Sequence, residues 1–147
     1  MSTNHHMSRD ETQIRALIEA RVRAVQAKDV DAALADVAAN VVLFDVVTPL
    51  HSRGVRAEQA RLEEWIASFE GPIGYEMRDL VIVTDDTVAF SHALHHYSGK
   101  TRAGVLDMWV RATTGYRKTD GVWRITHEHQ STPFDPASGK TSLDLEP

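Results

Sequence analysis

From Asp10 onward, Ile14, Leu17, Ile18, Val22 and Val25 recur three and four residues apart, with Arg15, Glu19, Arg23 and Gln26 between them. That spacing places the apolar residues on one face of a helix, capped by Asp10 or Thr12 and ending near Lys28. A second, short helix is predicted to start at Asp29 or Asp31 and to run through Ala32, Ala33, Leu34 and Val37, with Asn40 as its stop. Val41 to Val47 then reads as a buried strand. Pro49, Ser52 and Gly54 mark a loop. Residues 57–69 carry Ala60, Leu62, Trp65, Ile66 and Phe69 as a helical stripe that stops at Gly71-Pro72. Beyond Gly74 the period changes to two. Strands are predicted over 75–84, 87–98, 105–118 and 122–132, with turns at Asp85-Asp86, from Gly99 to Gly104 and at Thr119-Asp120-Gly121. Short links between long neighbouring strands predict an antiparallel meander with the helices on one face.

The last strand changes character along its length. Strict alternation puts Trp123, Ile125, His127, His129 and Ser131 on one face and Arg124, Thr126, Glu128 and Gln130 on the other. The first set passes from apolar to imidazole and hydroxyl, as the wall of a polar-bottomed pocket would.

At 147 residues, 42% of them hydrophobic and 25% charged, the chain has the size and balance of one globular domain. We expect a disordered segment over 1–9, a single domain over 10–135 and an irregular tail over 136–147. Sixteen Lys and Arg against 21 Asp and Glu give a formal charge of −5 without a basic run. The electrostatic footprint of a nucleic-acid or anionic-membrane partner is therefore missing. The absence of cysteine removes disulfides, thiolate catalysis and cysteine-held metals. Nothing at the N-terminus reads as a signal peptide and no segment approaches a membrane span, so a cytoplasmic location is expected. The expected partners are a small-molecule ligand and a second copy of the chain as a homodimer, with no nucleic acid and no membrane.

Two stretches carry a resemblance. Lys28-Asp29-Val30-Asp31-Ala32-Ala33-Leu34 running on to Asn40-Val41-Val42-Leu43-Phe44-Asp45 looks like the second helix and first strand of the superfamily of nuclear transport factor 2, ketosteroid isomerase and the polyketide cyclases. Trp109 to Thr113, with Arg117 to Ile125, looks like its last hairpin. The spacing Trp123, His127, His129, Ser131 is also similar to the association domain of calcium/calmodulin-dependent protein kinase II, and the ending 123–135 resembles bacterial stand-alone ketosteroid isomerase homologues. The resemblance implies an α+β, cone-shaped fold of three N-terminal helices packed on a strongly curved antiparallel sheet. Its members span many activities, so it implies the fold more than the function.

Asp45 sits among Val41, Val42, Leu43, Phe44, Val46 and Val47, where desolvation would raise a carboxyl toward a general-base range. In the isomerase resemblance it matches the proton-shuttling aspartate; paired with an arginine, it would be structural. The isomerase's oxyanion hole needs a tyrosine on the first helix and a protonated aspartic acid on the sheet. Here Arg21 falls near the first position and Trp109 or Val110 near the second, with Asp107 close by, so steroid isomerisation by that mechanism is not expected.

Asp107, Trp109, Arg111 and Thr113 share one face of their strand. A three-residue turn through Thr119-Asp120-Gly121, which we favour, would set Arg111 opposite His129 and Thr113 opposite His127. A two-residue Asp-Gly turn would set Ala112 opposite His129 and move the arginine to the other face. An inward Arg111 would clamp a carboxylate or enolate, or would pair with Asp45 or Asp107. His127 and His129, with His92 and a carboxylate, match a metal ligand set on paper, but equally serve as hydrogen-bonded pocket residues or as acid/base groups. We expect no metal and no cofactor. Asp45 is the expected base, His129 or His127 the acid and Arg111 the charge stabiliser. Phe44, Trp65, Phe69, His92, Asp107, Trp109, Thr113 and Ser131 are expected to line the pocket. The function expected is small-molecule binding, as a cofactor-free isomerase, cyclase or lyase on a small apolar carbonyl compound, or alternatively a ligand-binding or dimeric assembly module without catalysis.

Overall fold

The structure is a computed structural model that describes residues 7–147. Residues 1–6 of the expected N-terminal segment lie outside that range. Ser8 and Arg9 already belong to the first helix: Ser8 accepts a hydrogen bond from the Glu11 amide at 3.1 Å and caps α1 (Arg9–Gln26). Asp10 and Glu11 in the first turn complement the helix dipole. The chain leaves α1 through Lys28 in the left-handed region, and Asp29 then caps α2 (Val30–Leu34) by accepting from the Ala32 amide. β1 (Val37–Phe44) begins four residues before the Val41 expected from the pattern, because Val37 pairs with Ile125 and is buried there with Ala38. A two-residue strand, β2 (Ser52–Arg53), escaped the sequence reading; it leads into α3 (Val55–Ala67). β3 (Gly74–Thr84), β4 (Val88–Thr101), β5 (Gly104–Thr119) and β6 (Val122–Ser131) follow within a few residues of the expected bounds.

The six strands form one curved sheet in the order β2-β1-β6-β5-β4-β3. β3 to β6 are the expected antiparallel meander, but β1 runs parallel to β6, so the sheet is mixed. The crossover through α3 carries the chain from β1 to the far edge, and three hairpins return it. α3 therefore follows two strands, β1, which the pattern had placed ahead of it, and the short β2, so only α1 and α2 precede the sheet. Beyond β6 the tail makes a small turn, in which the Asp135 amide donates to Lys140 O and the Ser142 amide to Pro133 O, each at 2.7 Å. Among the described residues no helix is long and apolar enough to cross a membrane.

Helices and sheet enclose two apolar clusters. One gathers Ile14, Leu17 and Ile18 against Val41, Leu43, Tyr116, Trp123 and Ile125; the other gathers Ala24, Val25 and Ala33 with Ile66, Phe69, Ile73 and Tyr75. Between them the inner sheet face turns polar. The second cluster depends on Gly99, whose φ of +146° and whose closeness to Pro72 O (2.8 Å from an added Cβ) and Phe69 Cε1 (2.9 Å) leave no room for a side chain. Gly99→Ala is expected to lower unfolding stability by about 1–3 kcal/mol through overpacking and strain. Gly104→Ala, with φ +125° but nothing within 4 Å, reports strain alone, so in urea melts the Gly99 variant should be the less stable of the two.

Candidate functional site

β6 decides what the interior contains. It pairs with β5 as Tyr116↔Ile125 and then Gly115↔His127, which leaves Thr126 as an extra residue. This bulge reverses the alternation. Trp123 and Ile125 point inward before it, and Glu128 and Gln130 point inward after it. The expected single face from Trp123 to Ser131 does not exist. Thr119↔Val122 is the last pair of the hairpin, so the turn is the two-residue Asp120-Gly121, both at positive φ. The favoured three-residue register is thereby corrected: Thr113 lies opposite His129 and Arg111 opposite Ser131.

Glu128, only 6% exposed, needs a cation, and α1 supplies it. Arg21 lies three and four residues beyond Ile18 and Leu17, on the buried stripe, and its Nη1 donates to Glu128 Oε2 at 2.5 Å. On its other side Arg21 approaches Glu58 of α3 at 3.9 Å; Glu58 lies 3.7 Å from Arg61, and Arg61 contacts Asp45. Charges of alternating sign thus run outward from Glu128 through Arg21, Glu58 and Arg61 to Asp45. The inner end is the more buried, with side-chain exposure of 7% at Glu128 and 31% at Asp45. Three carboxylates face two guanidiniums, and Glu58 carries the imbalance. Burial, aided by the Glu128 charge and opposed by Arg21, pushes its carboxyl up to about 7. Burial also works against ionised Glu128, but the Arg21 guanidinium outweighs it and holds the carboxyl down at about 2. Burial likewise opposes the charge of Arg21, and Glu128 outweighs it, leaving the guanidinium above its ordinary range.

A second network continues from Glu128. Gln130 Nε2 donates to Glu128 Oε1 at 2.6 Å, Tyr97 OH donates to Gln130 Oε1 at 3.2 Å, and His95 Nδ1 lies 3.1 Å from both Tyr97 OH and Tyr75 OH. Burial pushes the His95 imidazole down to about 4 and the Tyr75 and Tyr97 phenols well up, so all three are neutral at pH 7. His95, Arg21 and Glu128 line a cavity of about 20 Å³ with Ser91, Thr114 and Tyr116, room for one water.

The expected site residues are elsewhere. Phe44, His92, Trp109, Arg111, Thr113, His127, His129 and Ser131 lie on the outer sheet face, turned away from the helices. There Phe44 meets the rings of His127 and His129 edge-on, His127 Nδ1 bonds Val42 O at 2.7 Å, and Arg111 Nε donates to Ser131 Oγ at 3.2 Å. Asp107 and Glu76 grip the two nitrogens of His96, which stacks on Trp109. Of the expected pocket residues, Trp65 and Phe69 face inward and pack edge to face in the second cluster. Asp45 stands at the strand end in the arginine-paired arrangement. The residues that do converge were missed, although Arg21 could have been found as a charge on an apolar stripe. His95 shares its face of β4 with Ala93 and Tyr97, and the β4 pairing turns that face inward.

Helices laid over one face of a curved six-stranded sheet, with a polar pocket between them, define an α+β protein of the nuclear transport factor 2-like class. The model of the SnoaL-like domain matches residues 14–135, and the chain belongs to that family. A nuclear transport factor 2-like protein of unknown function from Pseudomonas putida is 33% identical, with a TM-score of 0.87 over 97% of this chain and 100% of that one. The fold is also similar to that of a candidate dehydratase from Streptomyces avermitilis (15% identity, TM-score 0.72, 83% and 95% coverage). It is similar again to a candidate calcium/calmodulin-dependent protein kinase II association domain from Xanthomonas campestris (18% identity, TM-score 0.71, 85% and 88% coverage). No curated protein matches the sequence.

Proposed function

We propose that the protein binds a small, neutral, largely apolar carbonyl compound in the cone between helices and sheet and performs cofactor-free acid/base chemistry on it, of isomerase, cyclase or lyase type. One observation carries this reading: Glu58, whose carboxyl burial pushes up to about 7, lies 3.9 Å from Arg21, and Arg21 and His95 line the interior cavity. A carboxyl so poised both gives and takes a proton near pH 7. Its contacts, at 3.9 Å to Arg21 and 3.7 Å to Arg61, are the loose steps of the charge ladder, so in this reading a ligand displaces Glu58 and enlarges a space that has room for one water. Asp45, in this reading, holds Arg61 at the rim. A cytoplasmic location suits such a substrate.

The test is loss of α-proton signals in D₂O for cyclohexanone, acetylacetone and 2-methylcyclohexane-1,3-dione. The protein should accelerate exchange of at least one of them over buffer, and Glu58→Gln should remove about 10²-fold or more of that acceleration. Exchange at the buffer rate for all three would count against the reading.

A second reading, a dimeric assembly, is favoured by the outer face, where Phe44 and Phe90 are 40% and 46% exposed beside Val81, Val83, His92, His127 and His129. We expect light scattering to give twice the 16.4 kDa chain mass and Phe90→Glu to return it to one.

A further inference from the structure

On the outer sheet face, at the end of β5 and β6 nearest their turn, two arginines stand directly across from one another: Arg117 pairs with Arg124. Their neighbours Tyr116, Trp123 and Ile125 are buried against the helices, so the alternation sends both arginines outward. Both are exposed, and among the described residues neither guanidinium makes an ion pair or a hydrogen bond. This sets them apart from Arg15, Arg21 and Arg61, each of which meets a carboxylate. Like charges directly opposite on neighbouring strands, with Cβ atoms about 5 Å apart, oppose folding. The chain carries more carboxylates than cations, yet none of those described is set against this pair. The irregularity that reverses β6 also shapes the surface beside it. β1 pairs with β6 at Val37↔Ile125 and next at Val42↔His127, so residues 38–41 of β1 cover the step that Thr126 alone covers in β6. Ala38, Asn40 and Val42 of this arched stretch line an open groove of about 420 Å³ together with both arginines, Thr119 and Thr126. That volume suits a small ligand.

We propose that this groove is a binding site for the phosphoryl group of a small aliphatic phosphomonoester. Two guanidinium forks side by side match a dianion with three terminal oxygens, each fork bonding two of them and one oxygen being shared. A monocarboxylate would fill one fork and leave the second cation still facing the first. The Asn40 amide and the Thr119 hydroxyl, which make no side-chain hydrogen bond among the described residues, are the neutral donors at the site. Thr126 adds none, because its hydroxyl already donates to Gly115 O at 3.3 Å. Ala38 and Val42 give the alkyl group of the ester an apolar surface to lie on. None of the lining residues is aromatic, so a nucleobase has nothing to stack on, and the ligand is the phosphate of an aliphatic alcohol. The bound anion cancels the repulsion between the arginines, so occupancy and stability rise together. The groove is on the face turned away from the helices, and the site stands or falls independently of the acid/base reading of the interior.

Isothermal titration calorimetry and thermal melts in phosphate-free buffer test the site, with n-propyl phosphate, inorganic phosphate and succinate as probes. n-Propyl phosphate is expected to bind once per chain and to raise Tm. Arg117→Gln and Arg124→Gln should each weaken that binding about tenfold or more, and the double variant should abolish it. Arg23→Gln, which removes an exposed arginine of α1, should leave it unchanged. Without ligand, the two single variants should melt at or above the wild-type temperature, because each relieves the like-charge contact. A lower Tm would show that the arginines serve the fold and would overturn the proposal. Failure of n-propyl phosphate to bind overturns it too, as does binding retained in the double variant or weakened equally in Arg23→Gln, which would be general attraction to positive charge. Succinate binding as tightly as n-propyl phosphate overturns the phosphoryl assignment, and inorganic phosphate binding as tightly overturns the contact of the alkyl group with Ala38 and Val42.

Discussion

Arg21→Met is expected to cost about 3–5 kcal/mol of unfolding free energy, because it strands the Glu128 carboxylate in the interior without its cation. Methionine keeps the apolar stem that lies along Leu17 and Ile18 and loses only the guanidinium. Glu128→Leu removes the carboxylate instead and leaves Arg21 with Glu58 as a partner at 3.9 Å, so its cost should be the smaller of the two. The double variant Arg21→Met/Glu128→Leu should recover most of the loss, since replacing a buried ion pair by apolar groups of similar volume is often close to neutral. Urea unfolding of the four proteins closes the cycle. An Arg21→Met protein within 1 kcal/mol of the wild type would mean that water, not Arg21, compensates Glu128. The pair also shapes acid stability. Glu128 is held at about 2 against an ordinary 4.5, so its contribution is fully present above pH 4.5 and is lost as pH falls toward 2.

Glu58→Gln is expected to change the pH dependence of stability more than its value at any one pH. The Glu58 carboxyl is raised from 4.5 to about 7, so the folded state holds its proton more tightly than the unfolded chain does. Stability from this group is present below pH 4.5 and declines as pH rises through 7, by on the order of 3 kcal/mol. His95 acts in the opposite direction. Its imidazole is lowered from 6.5 to about 4, so its contribution is present above pH 6.5 and is lost as pH falls through 4. The two titrations oppose each other between pH 4.5 and 6.5, and the wild type should be nearly flat there. Glu58→Gln removes one of them: stability should climb from pH 4 to 6.5 and exceed that of the wild type by about 3 kcal/mol at pH 8, with little gain at pH 4. Thermal melts across that range read the slope. A Glu58→Gln curve running parallel to the wild type would show that Glu58 titrates normally and would remove the observation on which the proposed function rests.

These expectations concern residues that the linear pattern did not bring forward, and the reason differs for each. Arg21 was visible, since a cation three and four residues beyond Ile18 and Leu17 has to enter the core with them and take a carboxylate along. Glu128 and Gln130 were not. Alternation counted from Trp123 and Ile125 places both on the outer face, and only the extra residue at Thr126 brings them in. A bulge leaves no mark on composition or on average periodicity, yet it reverses every side chain beyond it. His127, His129 and Ser131 moved outward by the same displacement, which is why the histidines that first drew attention line an exposed face. Arg111 followed from the turn: Asp120-Gly121 was recognised as turn chemistry, but the choice between two and three residues depends on pairing along the whole hairpin.

The chain by itself determined the α+β class, the helices at its start, the meander of four long strands and the family resemblance, because apolar periodicity and turn residues act within a few positions of one another. Only the tertiary structure decided the parallel contact of β1 with β6, the reversal at Thr126 and the meeting of Arg21, Glu58, His95 and Glu128. These rest on pairings between residues far apart in the chain, where burial and charge compensation are settled jointly by α1, α3, β4 and β6, and no local stretch of sequence contains them.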